Sequence, residues 1–287
     1  MNNKILITEI GGTHLRIAKS TIFAKDKIEL SDINKYHTQD FLKNIPNSIF
    51  GQIKKTDLSD ITGLVFAVAG PVEEDGIVIK LPNIKVWPEN FDLGSMAKTE
   101  FNLPVLVVND MDTAVKGMAF LDKNLVKFWG ITWSTGLGAR YWDGNKTYYG
   151  ELGHEIKLEI DSKQVEAEDI LGGNHLKEYL RKNYLDKMSE NDPIKILANS
   201  FRSNEDWAKK IYFDLCQNFA RFLDKLLEIK DTQVIVLKGS IAEFVLSETE
   251  LREYLQQKIK SNVRLIKSVD GDKDSFYGAA LLFDELI

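Results

Sequence analysis

Asn109 and Asp110 stand at the end of a short apolar run and carry side chains well suited to chemistry. The run, Val105-Leu106-Val107-Val108, follows Pro104, is rich in β-branched residues, and reads as a strand buried on both faces, as in a parallel sheet. Strands of this kind deliver their carboxyl ends to the crevice where ligands bind. A carboxylate placed there can take the proton from an attacking hydroxyl. Read alone, Asp110 serves equally well as the cap of the amphipathic helix that follows it. Three further stretches supply the parts that a carboxylate base would need.

Ile10-Gly11-Gly12-Thr13 and Ser134-Thr135-Gly136-Leu137-Gly138 each sit where a strand turns sharply. Both present backbone amides and a hydroxyl with no side chain in the way, which is how phosphate oxygens are held. One Gly-Gly turn is common in hairpins; two, in matching positions of two similar halves, suit a nucleoside triphosphate cradled from each side. Arg16 reads as an outward-pointing strand arginine, with a phosphate contact as the alternative. Gly150-Glu151-Leu152-Gly153-His154 places a carboxylate and an imidazole three residues apart in a glycine-flexed turn, an acceptor and donor pair suited to sugar hydroxyls. As metal ligands, Glu151 and His154 lack neighbours to complete a set. Glu168, by itself, is a helix-end carboxylate.

The elements that position these residues alternate. Lys4–Thr8, Leu15–Lys19 and Ile28–Tyr36 read as strands, and Phe41, Ile45, Ile49 and Ile53 recur at helical spacing, with Pro46 as a kink. Leu64–Val68 is a further buried strand, Gly76–Leu81 an extended stretch, and Met96–Phe101 a short helix. Beyond Asp110 a helix runs to Leu121, and Val126–Trp133 opens a second strand-turn-strand unit that echoes the first. It continues through the turn Asp143-Gly144-Asn145 to Ile156–Leu158. Trp207, Ile211, Leu215, Phe219, Phe222 and Leu226 mark a long amphipathic helix over 204–229. Val234–Leu237 and Val263–Ile266 read as strands, and Ser275–Leu286 as the closing helix. No linker separates the halves, so topology places the boundary near Val108.

The 287 residues, 44% of them hydrophobic, are enough for two packed domains. Lys and Arg total 37 against 43 Asp and Glu, and the resulting net charge of −6 offers no basic face for nucleic acid. No apolar run reaches the ~20 residues of a membrane span. Met1-Asn2-Asn3-Lys4 leads into a strand without a signal-peptide pattern, so the expected location is the cytoplasm. A single cysteine, Cys216, rules out an intrachain disulfide and a thiolate-rich zinc site within one chain, and its place on the apolar side of a helix marks it as core.

With these motifs in hand, the chain resembles sugar kinases of the actin-like ATPase superfamily, specifically the ROK family and neighbouring bacterial glucokinases. Ile10-Gly11-Gly12-Thr13 with Arg16 is similar to the family's first phosphate motif, Ser134–Gly138 to the second, and Leu237-Lys238-Gly239-Ser240 to the adenosine motif. The resemblance implies two α/β domains, each with a mixed five-stranded sheet, flanking an interdomain cleft. The smaller would hold residues 1–108 plus 274–287 and the larger 109–273. It further implies ATP-dependent phosphorylation of a hexose, glucose first and N-acetylmannosamine or another hexose next. Asp110 becomes the base, and Asn83, Asn109, Glu151, His154 and Glu168 the sugar-binding residues. Gly11, Gly12, Thr13, Thr135, Gly136, Gly138 and Gly239 hold ATP, and Mg²⁺ is held through water by Glu9. A homodimer is the implied assembly. A non-catalytic sugar sensor would need a helix-turn-helix ahead of the first phosphate motif, where eight residues precede Glu9; a chaperone-like ATPase would have no use for Asn109, Glu151 and His154 together.

Three departures from the family pattern carry consequences. Glu9 stands where the family has Asp, Lys238 stands where it has the first of two glycines, and the cysteine cluster that binds zinc in many members is absent. His154 is thereby left to act on the sugar. Activity should accordingly survive a zinc-selective chelator with Mg²⁺ in excess, and metal analysis should find no stoichiometric zinc whose removal abolishes turnover.

Overall fold

A computed structural model describes residues 3–188 and 192–286. The chain divides into two compact units: Met1–Val126 with Gly144–Thr147 and Val269–Ile287, and Lys127–Asp143 with Tyr148–Ser268.

In the first unit, the strands in chain order are β1 (Asn3–Ile10), β2 (His14–Ala24), β3 (Lys27–His37), β4 (Gly63–Val68), β5 (Ile77–Val78), β6 (Phe91–Asp92) and β7 (Val105–Asn109). β1, β2 and β3 form an antiparallel meander, and β4 and β7 add in parallel, giving the order β3-β2-β1-β4-β7. β5 and β6 pair separately. All six residues of β4 are buried, as expected for a strand with a neighbour on each side and both faces covered. The organising run Val105–Asn109 is instead the last strand of the sheet. Val105 and Val107 enter one core, while Leu106 and Val108 are only partly buried against the core on the opposite face.

The residues at helical spacing, Phe41, Ile49 and Ile53, are buried and Ile45 packs partly buried against the same core, but not on one kinked helix. A 3₁₀ turn over Thr38–Asn44 ends at Ile45, whose backbone is extended (φ −74°, ψ 137°), and α1 (Asn47–Ile53) starts afresh after Pro46. Proline cannot donate to the preceding turn and drives the residue before it out of the helical region. α2 (Leu93–Phe101) starts three residues earlier than its apolar pattern suggests, because Asp92 accepts a hydrogen bond from the Ser95 amide (2.8 Å) and caps it. α3 (Asp110–Leu121) follows β7 directly.

The second unit begins with β8 (Phe128–Trp133), β9 (Leu137–Trp142) and β10 (Thr147–Tyr148), whose first residue, Thr147, counts with the first unit, followed by α4 (Leu152–Glu155), β11 (Lys157–Ile160), β12 (Lys163–Glu166), α5 (Ala167–Leu171), α6 (Gly173–Asn183), α7 (Pro193–Arg202) and α8 (Asp206–Ile229). β13 (Val234–Lys238), α9 (Ser240–Ser247), α10 (Thr249–Lys258) and β14 (Arg264–Lys267) complete it. Its sheet has the order β10-β9-β8-β13-β14, with β13 parallel to both β8 and β14. The strand expected over Ile156–Leu158 leaves this sheet: β11 pairs with β12 as a separate hairpin. α8 covers one face of the sheet, and Phe219 stacks on Trp133 at 4.0 Å between ring centroids. Cys216 lies fully buried on that helix, where desolvation pushes its thiol up to about 12, so it stays protonated and inert.

The boundary expected at Val108 shifts to Val126, and the return to the first unit falls at Val269 rather than at residue 274. The cause is the packing of the C-terminal helix α11 (Asp274–Leu286) on α3. A Cβ built on Gly117 would lie 1.7 Å from the Asp274 carbonyl oxygen, and one on Gly278 would lie 1.8 Å from that of Thr113. The two helix backbones therefore touch, and α3 belongs with the sheet that α11 covers. Among the described residues no helix is long and apolar enough to cross a membrane.

Gly278→Ala should cost at least the ~1–3 kcal/mol typical of overpacking, because a backbone carbonyl cannot swing aside as a side chain can. Urea unfolding followed by circular dichroism measures it, and an unchanged midpoint would mean that the helices part easily.

Candidate active site

In the first unit, Ile10, Val68 and Asn109 lie in one row across β1, β4 and β7, at the carboxyl edge of three parallel strands. The Gly11–Thr13 turn leaves from that edge. Thr38 holds it, donating its hydroxyl to the Gly11 carbonyl (2.7 Å) and its amide to that of Thr13 (3.0 Å). Asn83 packs against the same turn: a Cβ on Gly12 would fall 2.5 Å from the Asn83 Cβ, so only glycine lets the loop approach.

The capping question at the end of β7 has a definite answer. Asn109, extended at φ −67° and ψ 140°, accepts the Met111 amide on its Oδ1 at 2.9 Å and is the N-cap of α3. Its Nδ2 donates to the Gly70 carbonyl at 2.8 Å, and the residue is buried. Asp110 is thus the first helical residue and not the cap. The Asn109 side chain, expected to serve a ligand, has at least two structural bonds to keep.

Arg16 does not point outward. Both it and Glu9 have side chains only 14% exposed, and they form an ion pair through Glu9 Oε2. The same oxygen accepts the Ser275 hydroxyl at 2.8 Å, and the guanidinium also donates to Ser275 Oγ (3.1 Å) and to the Asp272 carbonyl. It lies 4.9 Å from the centre of the Phe276 ring. Among the described residues no group of three or more His, Cys, Asp or Glu is placed to hold an ion. A Mg²⁺ ion keeps most of its shell as water and substrate phosphate. One carboxylate beside the Gly11–Thr13 turn fits an ion that brings most of its ligands as water and phosphate.

In the second unit the turn after β8 is closed by Ser134 donating its amide to the Gly136 carbonyl at 3.0 Å. Two amides at the start of α6 brace it, Gly173 to Ser134 (2.8 Å) and Asn174 to Thr135 (3.0 Å). Gly239, at φ +99°, packs against the same turn; a Cβ there would sit 2.6 Å from the Trp133 carbonyl oxygen. Lys238, one residue earlier, is buried at the end of β13 in register with Thr132. Thr135, Gly136 and Gly239 are therefore brought together, while Gly138 lies within β9 in register with Thr132 and flanks the turn.

Leu137, the first residue of β9, joins that turn to the acidic residues. Its amide donates to Glu168 Oε2 (3.3 Å), which is buried at the start of α5. Gly153, in the short helix α4, sits on its carbonyl: a Cβ there would come within 2.1 Å of the Leu137 oxygen and 3.2 Å of Glu168 Oε2. The stretch expected as a flexed turn is thus partly helical, with Glu151 just ahead of α4 and His154 within it. His154 Nδ1 lies 3.0 Å from Glu166 and its Nε2 3.6 Å from Glu168. Buried Arg140 approaches Glu151 at 3.8 Å. Reading the sequence missed Arg140, Glu166 and Ser275. Of these, only Glu166 carried a signal, the Glu-Ala-Glu spacing at a strand-to-helix junction.

Two α/β units with matching strand order, each bearing glycine turns at the carboxyl edge of its parallel strands, define the duplicated fold of the actin-like ATPases. Within that class the chain belongs to the ROK family, whose model matches residues 6–285. Solved structures agree at the level of fold. A Listeria monocytogenes protein proposed to be an N-acetylmannosamine kinase is 18% identical with a TM-score of 0.78, over 98% of this chain and 99% of that one. A ROK glucokinase from Streptomyces griseus, in complex with glucose and AMPPNP, is 19% identical with a TM-score of 0.73, over 98% and 99%. A ROK transcriptional regulator, a homologue of the E. coli MLC protein, is 18% identical with a TM-score of 0.70, over 98% of this chain and 80% of that one.

Gly153→Ala should raise the KM for sugar by at least about tenfold, since its Cβ would force α4 off Leu137 and displace His154 from Glu168. Steady-state kinetics and a thermal melt on the same preparation test this; an unchanged sugar KM would uncouple α4 from the site.

Proposed function

We propose that this chain is an ATP-dependent sugar kinase that transfers the γ-phosphoryl group to a hexose hydroxyl, with glucose as the leading acceptor. N-acetylmannosamine or another hexose is the second reading, and the glucokinase and the proposed N-acetylmannosamine kinase among its structural relatives support both. The observation that carries the proposal is the division of labour at the end of β7. Asn109 caps α3, which removes the competing role from Asp110 and supports its assignment as the base.

In this reading Asp110 accepts the proton of the attacking hydroxyl as its oxygen reaches the γ-phosphorus. Glu151, His154 and Glu168 accept and donate hydrogen bonds to the sugar, and Asn83 and Asn109 are further sugar-binding residues. The turns at Gly11-Gly12-Thr13 and Thr135-Gly136-Leu137-Gly138 hold phosphate oxygens with backbone amides, and Gly239 lets the nucleotide approach. When bound, a Mg²⁺ ion would neutralise charge on the transferring group, and Glu9 is the residue that would hold it through water. Enclosure of the reactants keeps water from competing as phosphoryl acceptor. The enzyme acts in the cytoplasm as a homodimer.

The ROK transcriptional regulator of similar fold keeps a sugar-sensing role open as the second reading. Asp110→Asn keeps shape and leaves the Asn109 cap untouched but cannot accept a proton. Phosphoryl transfer should fall by ~10²–10⁴-fold with sugar affinity changed far less. A coupled ADP assay over a sugar panel, with calorimetry on the same samples, decides between the readings. Near wild-type turnover in the variant removes Asp110 from the chemistry, and a wild type that binds sugar without forming ADP is a sensor.

A further inference from the structure

His154 stands between two carboxylates of unequal exposure. Its Nδ1 is 3.0 Å from Glu166 Oε2, and its Nε2 is 3.6 Å from Glu168 Oε2, longer than a hydrogen bond. The Glu168 side chain is 9% exposed and already accepts the Leu137 amide, whereas that of Glu166 is 41% exposed at the end of β12. An ionised carboxylate only accepts, so at 3.0 Å the shared proton must sit on His154 Nδ1. In the neutral imidazole that choice leaves Nε2 with a lone pair.

We propose that Glu166 is the positioning residue of the sugar clamp: it fixes His154 in the Nδ1–H tautomer, so that Nε2 and Glu168 Oε2 present two adjacent acceptors. Two acceptors side by side repel each other and are satisfied together by a ligand that brings two neighbouring O–H or N–H donors. Vicinal hydroxyls of a pyranose, or a hydroxyl beside an amino group, have that character. An ether or ester at either position lacks the hydrogen. The proposal rests on the sugar-kinase reading for the nature of the ligand, but the tautomer itself does not.

Glu166 and His154 are brought together by the β11–β12 hairpin and α4. Glu166 ends β12 opposite Lys157, and alternation along β12 turns Glu166 and Gln164 to one side and Val165 to the other. Because the Glu166 carboxylate is partly exposed, its removal leaves little buried charge unpaired. Its effect is therefore on orientation and proton placement more than on folding.

The test uses the full chain with Glu166→Ala and Glu166→Gln. Nitrogen-15 NMR of the His154 ring, assigned with a His154→Gln sample and recorded above the imidazole's titration range, should show a protonated Nδ1 in wild type. In Glu166→Ala that signature should be lost, and the sugar KM should rise by about tenfold with the ATP KM unchanged. Glu166→Gln, whose side-chain carbonyl still accepts the Nδ1 proton, should keep the tautomer and most of the sugar affinity. A ring that remains Nδ1-protonated in Glu166→Ala, or equal sugar KM values in all three proteins, overturns the proposal. A tautomer that shifts in a protein that phosphorylates no sugar leaves the positioning role intact and removes the kinase reading.

Discussion

The two backbone polar groups of Leu137 hold the second unit's candidate site in one piece. A buried amide and carbonyl each need a partner or a close dipole, and here the amide goes to the Glu168 carboxylate while the carbonyl lies directly beneath Gly153. Leu137 also follows Thr135 and Gly136 in the chain. The Ser134–Gly136 turn, the helix that carries His154, and the carboxylate at the head of α5 are thus coupled through one residue. The α5 end adds a second tie, since the Gly172 amide donates to the Glu168 carbonyl and that of Gly173 to Ser134, both at 2.8 Å. The Glu-x-Gly-His pattern follows from this packing: the glycine is the only residue small enough to seat α4 on β9.

The first unit reaches a comparable rigidity by other means. Its turn is held by the side chain of Thr38, and the end of β7 by the side chain of Asn109. Glu9, with one methylene more than aspartate, reaches both Arg16 and Ser275, the latter in the first turn of α11. α11 in turn lies backbone to backbone on α3, which begins at Asp110. A continuous set of contacts therefore runs from β1 through the C-terminal helix to the proposed base. A substitution of Glu9 therefore bears on the placement of Asp110.

The two sheets share their order, with the antiparallel strands on one side and two parallel strands on the other, and both use the carboxyl edge of the parallel part. They differ in what lies there. Both carry a glycine turn, but the first unit adds carboxylate and amide side chains on β1 and β7, whereas the second has Lys238 buried at the same edge.

The sequence by itself determined the local structure: the strands from hydrophobic runs, α8 from its apolar spacing, the two glycine turns, and the family from its motifs. These are properties of short segments, where neighbours in the chain decide the outcome. Tertiary structure decided what depends on residues far apart. It placed Val105–Asn109 at the edge of its sheet and gave α3 to the first unit through its contact with α11. It also turned Arg16 inward to Glu9, gave the cap of α3 to Asn109, and brought Glu166 to His154. None of these follows from periodicity, because a side chain's partner is set by which backbones touch, and that is fixed only when the whole chain is packed.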